Sequence, residues 1–211
     1  MFRTHKCNEL TLSNKGEKVI LSGWVNSTRD HGGVIFIDLR DRFGLTQIKA
    51  DPATCSDSLI ELAKNCKSEY VIKVSGHVEA RPEGTINSDL NSGEVEVIPH
   101  EIIILSEAEH PPFEISDEHY VREEVRMNYR YIDLRRKSMK DNIIARHDLS
   151  MYILDFLRAN DFLYIETPQL IKNTPEGARE YIVPSRNAPG KGYVLPQSPQ
   201  QLKQLLMVSG F

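Results

Sequence analysis

Short runs in which apolar, often β-branched side chains alternate with polar ones fill the first hundred residues, and they constrain the fold more than any other feature. Alternation with a period of two is typical of β-strands that bury one face. One segment, Asp57–Lys67, instead has helical spacing, because Leu59, Ala63 and Cys66 fall on one face of a helix. The predicted strands cover residues 18–25, 34–39, 45–49, 69–78, 93–98 and 102–105.

The order of these elements, three strands followed by a helix and then further strands, is that of the five-stranded OB barrel. That fold commonly presents one face of its sheet to single-stranded nucleic acid. Any small β-barrel would show the same pattern, so the pattern by itself leaves the two kinds of barrel open.

The pattern changes after residue 105. Acidic residues and Pro111-Pro112 indicate a linker, and residues 118–131 are charged and predicted to be partly helical. An amphipathic helix is predicted over 141–158, with a short strand over 162–166. We therefore expect three parts, which are a barrel, a linker or hinge, and a second domain with helices and strands. Their expected bounds are residues 1–105, 106–136 and 137–211.

Composition and charge limit the class of protein. Hydrophobic residues make up 40% of the chain and charged residues 27%, which is typical of a soluble globular protein, and no apolar run approaches the length that spans a bilayer. The N-terminus lacks the apolar core of a signal peptide, so we expect a cytoplasmic protein without a membrane partner. A net charge of −4 argues against non-specific coating of nucleic acid but allows a local basic face. Cys7, Cys55 and Cys66 fit no disulfide framework and no zinc pattern, so we expect free thiols and no metal site.

In the predicted barrel, three side chains suit a nucleic-acid site. An aromatic ring on a sheet face, such as that of Phe36, stacks an unpaired base. Gln47 on the next strand has both a donor and an acceptor with which to read a base edge, and Arg29 suits a phosphate. The alternative is that Phe36 belongs to the core and the arginine to a solvated face.

Several segments of the chain form a more specific signal when they are taken together and in order. They are Gly23–Val25, Arg29–Asp41, Tyr129–Arg135, Phe162–Leu170 with its Thr167-Pro168 pair, Thr174–Arg179 and Leu195–Leu205. These segments resemble the class II aminoacyl-tRNA synthetases and, within that class, the bacterial aspartyl enzymes. The resemblance covers essentially the whole chain, and several long motifs in one order are specific where any one alone would be weak.

The resemblance implies an OB-fold anticodon-binding domain followed by the N-terminal part of an α+β catalytic domain built on an antiparallel sheet. It implies an enzyme that joins L-aspartate to ATP, giving aspartyl-adenylate, and passes the aspartyl group to tRNA(Asp). Pro168 falls in the motif that builds the dimer interface, which implies a homodimer. In the family, the residues that bind ATP and Mg²⁺ come from motifs beyond Phe211. We therefore expect the 211-residue chain alone to be inactive.

The resemblance also implies an aspartate site formed by Glu176, Ser198, Gln200 and Lys203. Free aspartate needs a cation for its side-chain carboxylate, for which Lys203 is suited, and an acceptor for its ammonium group. Ser198 and Gln200 suit the α-amino and α-carboxylate groups, and Glu176 lies in a loop that closes over the ammonium. Without the family pattern, the same residues read as a loop acid, helix-cap residues and a solvated lysine.

Two positions depart from the family pattern. Asp161 stands where the family usually has glycine before the phenylalanine, and a glycine would allow a tight turn more easily. Glu180 stands where the family usually has aspartate, and this change keeps the charge.

The choice of tRNA is predicted to depend on His31 and Gly84. Anticodons for aspartate and asparagine differ only in their third base, cytosine or uracil, whose edges reverse donor and acceptor. A histidine suits either base according to its tautomer, and a glycine makes no side-chain contact. This pair resembles the members of the family that aspartylate both tRNA(Asp) and tRNA(Asn).

Two alternatives stay open at this point. One is a stand-alone OB module that binds tRNA without catalysis. The other is a sister ligase for asparagine or lysine, against which the Thr174–Arg179 segment and Lys203 argue, because a neutral amide would not be matched by a lysine.

Overall fold

In a computed structural model that describes residues 1–172 and 180–211, the alternating runs form a closed barrel of five strands in the order β1-β2-β3-β5-β4. All neighbouring strands are antiparallel except β3 and β5, which pair in parallel through Ile48 and Val97. The elements are a 3₁₀ turn Leu12–Asn14, β1 Lys18–His31, β2 Val34–Arg40, β3 Leu45–Ala50, α1 Asp57–Asn65, β4 Val71–Ala80 and β5 Val95–Ser106. The prediction of an OB barrel is confirmed.

Two details of the strand prediction were wrong. The runs 93–98 and 102–105 are one strand, β5, whose register against β4 shifts opposite Ser75 and Gly76. The fourth strand begins at Val71 and not at Glu69, because Glu69 has a φ of +66° and so lies outside the strand region. The interruption of the alternation between the two predicted runs thus corresponds to a register shift between β5 and β4, and not to a turn between two separate strands.

The period of two decides which side chains form the barrel core. Along β2, Ile35, Ile37 and Leu39 are at most 1% exposed, whereas Phe36 and Asp38 between them are only half-buried. The β1–β2 hairpin closes through Gly32 and Gly33, which have φ values of +64° and +94°. Two successive positive φ values define the tight hairpin turn that glycine forms most easily.

Residues 106–136, predicted as a linker, belong to the same compact unit as the barrel, Met1–Lys137. Their two short helices are α2 Glu123–Asn128 and α3 Arg130–Asp133. The Arg135 guanidinium lies 5.1 Å from the centre of the Trp24 ring and 2.5 Å from Glu69 of the barrel. These contacts fasten the segment to the barrel.

The second unit, Ser138–Phe211, contains the long helix α4 Lys137–Ala159, which begins in the first unit, and a hairpin followed by a helix. The elements after α4 are β6 Tyr181–Pro184, β7 Gly192–Leu195 and α5 Gln200–Val208. Strands β6 and β7 pair antiparallel. The predicted helix over 141–158 is confirmed and is longer than expected.

The predicted strand over 162–166 was wrong, since no strand within the described ranges pairs with it. A β-strand exists only through its ladder partner, and apolar alternation cannot supply one. The turn that precedes it does form. Asp161 has a φ of +65°, and the Phe162 amide donates to the Leu157 carbonyl at 3.0 Å, as in a helix end that favours glycine. Of the helices that the structure describes, none is both long and apolar enough to cross a membrane.

Candidate nucleic-acid interface

The outer face of β1, β2 and β3 brings the three predicted nucleic-acid residues together. Residues directly opposite one another on paired strands share a face. Arg29 of β1 pairs with Phe36 of β2, which pairs with Lys49 of β3. The next row on the same face holds Asp38 and Gln47. Arg29, Phe36 and Gln47 therefore lie on one surface patch.

Phe36 is not part of the core. Its neighbours on either side, Ile35 and Ile37, point into the barrel and are buried, so the Phe36 ring faces outward. The His31 ring meets it edge-on, with 5.8 Å between the ring centres. An outward-facing ring among basic side chains is the arrangement that stacks unpaired bases.

Polar contacts hold the patch in place. Asp38 accepts hydrogen bonds from Ser27 at 2.7 Å and from Arg29 at 3.0 Å. The Gln47 amide nitrogen donates to Glu96 at 3.0 Å, and the Lys49 ammonium lies 3.4 Å from the same carboxylate. Because Glu96 is buried, this bond fixes the Gln47 amide and so decides which of its atoms faces outward.

Asp38, Lys49 and Glu96 were missed by reasoning from the sequence. Asp38 and Lys49 could have been found from the sequence, because every second side chain along β2 and β3 faces outward. Glu96 had no such signal, because it reaches the patch through the parallel pairing of β3 with β5, and nothing local in the sequence indicates that pairing.

Arg81 is a further basic residue at this surface, and it is buried. Its guanidinium donates to the Val95 carbonyl at 3.0 Å and to the Thr85 carbonyl at 3.4 Å. Burial lowers the pKa of Arg81, while the negative charges of Glu96 and Asp38 act in the opposite direction. Arg81 thereby ties the start of the polar loop 81–92 to strand β5.

The two residues predicted to govern tRNA choice lie on different loops. His31 is exposed at the tip of the β1–β2 hairpin and contacts Phe36. Gly84 has a φ of +86°, and no atom lies within 4 Å of the position where a Cβ would stand. His31 therefore does not pack against Gly84, and a side chain at position 84 would have room but would strain the backbone at this φ.

In the second unit, the predicted aspartate residues are exposed around the start of α5. Ser198 precedes the helix, Gln200 is its first residue, and Lys203 lies one turn further along the same side. No side chain caps the helix, so the alternative reading of Ser198 as a cap does not hold. Glu176 and the Thr174–Arg179 segment lie outside the described residues.

Pro168 is exposed beside an open hollow of about 640 Å³, whose other walls include Tyr164, Leu195 and Pro199. Ser198, Gln200 and Lys203 do not line it. The described part of the chain also contains no group of three His, Cys, Asp or Glu side chains that could hold a metal ion.

Two family models match the chain. One, described as tRNA synthetases class II (D, K and N), matches residues 122–211. The other, described as an OB-fold nucleic acid binding domain, matches residues 19–105. The segment 106–121 lies between the two matches and is covered by neither.

Curated relatives match over the whole length of the chain. An aspartate--tRNA(Asp/Asn) ligase of Desulfosudis oleivorans is 51% identical over 211 residues, covering 100% of this chain and 35% of the relative. A ligase of the same name from Dehalococcoides mccartyi is 53% identical over 210 residues, covering 100% of this chain and 35% of the relative. The chain thus spans about a third of the length of these relatives.

Solved structures share the fold. An asparaginyl-tRNA synthetase from Pyrococcus horikoshii complexed with asparaginyl-adenylate has a TM-score of 0.83 at 23% identity, covering 99% of this chain and 46% of that one. A putative aspartyl-tRNA synthetase from Leishmania major has a TM-score of 0.80 at 22% identity, covering 98% and 41%. Fold, motifs and relatives agree: residues 122–211 belong to the class II tRNA synthetases of the D, K and N group, and they follow an OB-fold nucleic acid binding domain.

Proposed function

We propose that this chain is part of an aspartate–tRNA(Asp/Asn) ligase, in which it supplies anticodon recognition and part of the aspartate site. The observation that carries the proposal is the row Arg29–Phe36–Lys49 on the outer face of an OB sheet, with Gln47 in the adjacent row. Relatives more than 50% identical over the whole chain bear the name of this ligase, which supports the choice of amino acid.

In this proposal the Phe36 ring stacks on an unpaired anticodon base, Gln47 reads the edge of a base, and Arg29 contacts phosphate. Glu96 takes one donor of the Gln47 amide, so the remaining donor and the carbonyl are left for the base. Residues 1–105 form the anticodon-binding domain, 106–136 the hinge, and 137–211 the beginning of the catalytic domain.

The aspartate site in this proposal consists of Glu176, Ser198, Gln200 and Lys203. Gln200 and Lys203 stand three residues apart in α5, so both face the same side of the helix. The ammonium group of an exposed lysine is free to form a charge-assisted hydrogen bond with the side-chain carboxylate of the substrate. Pro168 belongs to the dimer motif of a homodimeric parent, and the parent acts in the cytoplasm.

The parent enzyme would activate L-aspartate with ATP and Mg²⁺ and transfer it to tRNA(Asp) and tRNA(Asn). The chain spans about a third of the length of the relatives that bear the name of this ligase, so we expect no aspartate-dependent exchange of pyrophosphate into ATP by the 211-residue chain alone.

The experiment that tests anticodon recognition is fluorescence anisotropy of the 211-residue chain with a labelled anticodon stem-loop. A stem-loop with the aspartate anticodon should bind more tightly than one with the same stem and an unrelated anticodon. Equal affinity for the two would contradict recognition by Phe36 and Gln47.

The amino-acid assignment is tested in the full-length protein by substituting Lys203. Lys203→Leu should raise the apparent KM for aspartate and leave that for ATP unchanged, whereas Lys203→Arg should keep part of the affinity. Aspartate kinetics unaffected by Lys203→Leu would remove this residue from the site. Absence of any aspartate activation by the full-length protein would favour a tRNA-binding module without catalysis.

A further inference from the structure

The turn between β2 and β3 carries an exposed aromatic ring surrounded by cations. The Phe43 side chain is 38% exposed. The Lys6 ammonium lies 4.4 Å from the centre of its ring, the Arg42 guanidinium 4.6 Å and the Arg3 guanidinium 5.7 Å. Three cations are thus held around one ring, although like charges repel one another.

A buried carboxylate builds this cluster. Asp41 accepts hydrogen bonds from the backbone N–H groups of Phe43 at 2.7 Å, Gly44 at 3.2 Å and Cys7 at 3.0 Å, and it pairs with Arg3 at 3.4 Å. The Cys7 bond fastens the N-terminal segment to the turn. The cluster is therefore formed in advance by the fold and does not depend on surface side chains meeting by chance.

The acids close to the cluster leave an excess of positive charge. The Asp41 carboxylate is buried and already bonded, so it has little capacity left for the three cations. Glu9 accepts the backbone N–H of Lys6 at 2.7 Å, and this bond, together with the charges of Lys6, His5 and Arg3, lowers its pKa. Two negative charges thus face three exposed positive ones.

An open hollow of about 500 Å³ adjoins the cluster. Its walls include the Trp24 and Phe43 rings, and Arg3 and Arg42 stand at its edge. Arg135 lies over the Trp24 ring at 5.1 Å, and Trp24, which is only partly buried, also lines the hollow. The hollow is at the opposite end of β2 from the hairpin that carries His31, so it is separate from the proposed anticodon face.

We propose that this hollow binds an unpaired nucleotide of an RNA strand, with its base against Trp24 and its phosphate among Lys6, Arg42 and Arg3. A flat apolar wall beside a cluster of cations matches the two halves of a nucleotide, because every base has a π-face and every phosphate a negative charge. An acidic peptide would use the cations but not the indole wall. The site does not depend on the proposed anticodon contacts.

Trp24 provides a local readout, because it is the one tryptophan in the chain. Titration with oligouridylate should quench its fluorescence saturably, and uridine monophosphate should do so only at higher concentration. If uridine monophosphate quenches at the same concentration as oligouridylate, the hollow binds a nucleotide, but its ligand is a free nucleotide and not an RNA strand. No quenching by oligouridylate, or equal quenching by a polyglutamate peptide, would overturn the proposal.

Variants separate the site from its surroundings. The double variant Lys6→Ala with Arg42→Ala should weaken binding and reduce the slope of log K against log salt by up to about 0.7, the value for one lost phosphate contact on a single strand. Phe43→Ala should weaken binding several-fold, because the three cations lose their cation–π contacts with the ring and are held less firmly in place. Lys15→Ala, which removes an exposed cation elsewhere on the barrel, is the matched control and should change neither quantity.

Phe36→Ala distinguishes this site from the anticodon face, since it should reduce binding of the anticodon stem-loop and leave the Trp24 signal unchanged. Thermal unfolding of each variant checks that the barrel is intact. If the double variant folds and binds oligouridylate with wild-type affinity and salt slope, the cluster is not a phosphate site.

Discussion

Replacing Phe36 with alanine separates two roles that the ring can have, and the structure predicts different magnitudes for them. Phe36 faces outward between Arg29 and Lys49, so its loss removes cross-strand contacts but opens no core cavity. Such contacts stabilise a sheet by about 0.2–1 kcal/mol per pair. Stacking of a base on an aromatic ring contributes about 1–3 kcal/mol. We therefore expect a loss in stem-loop affinity of about fivefold to more than a hundredfold with little loss in stability.

Ile37→Ala is the matched control for this experiment. Ile37 is fully buried one position further along the same strand, so its truncation should cost about 2–5 kcal/mol of unfolding free energy. Because its side chain points away from the patch, the protein that remains folded should bind the stem-loop as the wild type does. The assays are urea unfolding and anisotropy with the anticodon stem-loop. A Phe36→Ala protein that loses more than about 2 kcal/mol of stability and binds normally would refute the placement of this ring in a binding face.

Other predictions concern tRNA choice, one helix end, a buried acid and the thiols. In the full-length protein, tRNA(Asp) and tRNA(Asn) should be aspartylated at comparable rates, and His31→Leu with Gly84→Lys should shift the ratio toward tRNA(Asp); a wild-type enzyme that ignores tRNA(Asn) would contradict this reading. Because Asp161 has a φ of +65°, Asp161→Gly should stabilise the end of α4 by about 0.5–1 kcal/mol, and amide exchange at Phe162 should slow accordingly. Hydrogen bonds from Arg126, together with the charges of Arg126, Arg130 and Arg136, lower the pKa of the buried Asp133, so its contribution to stability is present above the unfolded pKa of about 3.9 and is lost as the pH falls below it. Asp133→Asn should cost about 2–3 kcal/mol at pH 7 and flatten the stability curve in that acid range, as measured by urea unfolding. Burial raises the pKa of Cys7 far above its usual range and that of Cys66 to about 11, so a thiol reagent at pH 8 should label the partly exposed Cys55 first, with Cys7 and Cys66 reacting only on denaturation.

The sequence alone determined most of the barrel strands and the alternation along β2, although it left open whether Phe36 belongs to the core. Once 34–39 is read as a strand, Ile35, Ile37 and Leu39 must share a face, and Phe36 must point the other way. The motifs of the second domain likewise indicated the family from sequence alone. These features are local, because backbone geometry imposes a period on every strand whatever its neighbours are.

Tertiary structure decided the rest. Glu96 reaches Gln47 across 49 positions of the chain, and the N-terminal Lys6 reaches Phe43 because Asp41 binds the backbone of Cys7. The apolar segment 162–166 has strand composition, yet no strand pairs with it in the part of the chain that the structure describes. Each of these outcomes depends on which distant segments meet. Loop closure and barrel packing decide that, whereas hydrophobic periodicity records only the direction in which each side chain points.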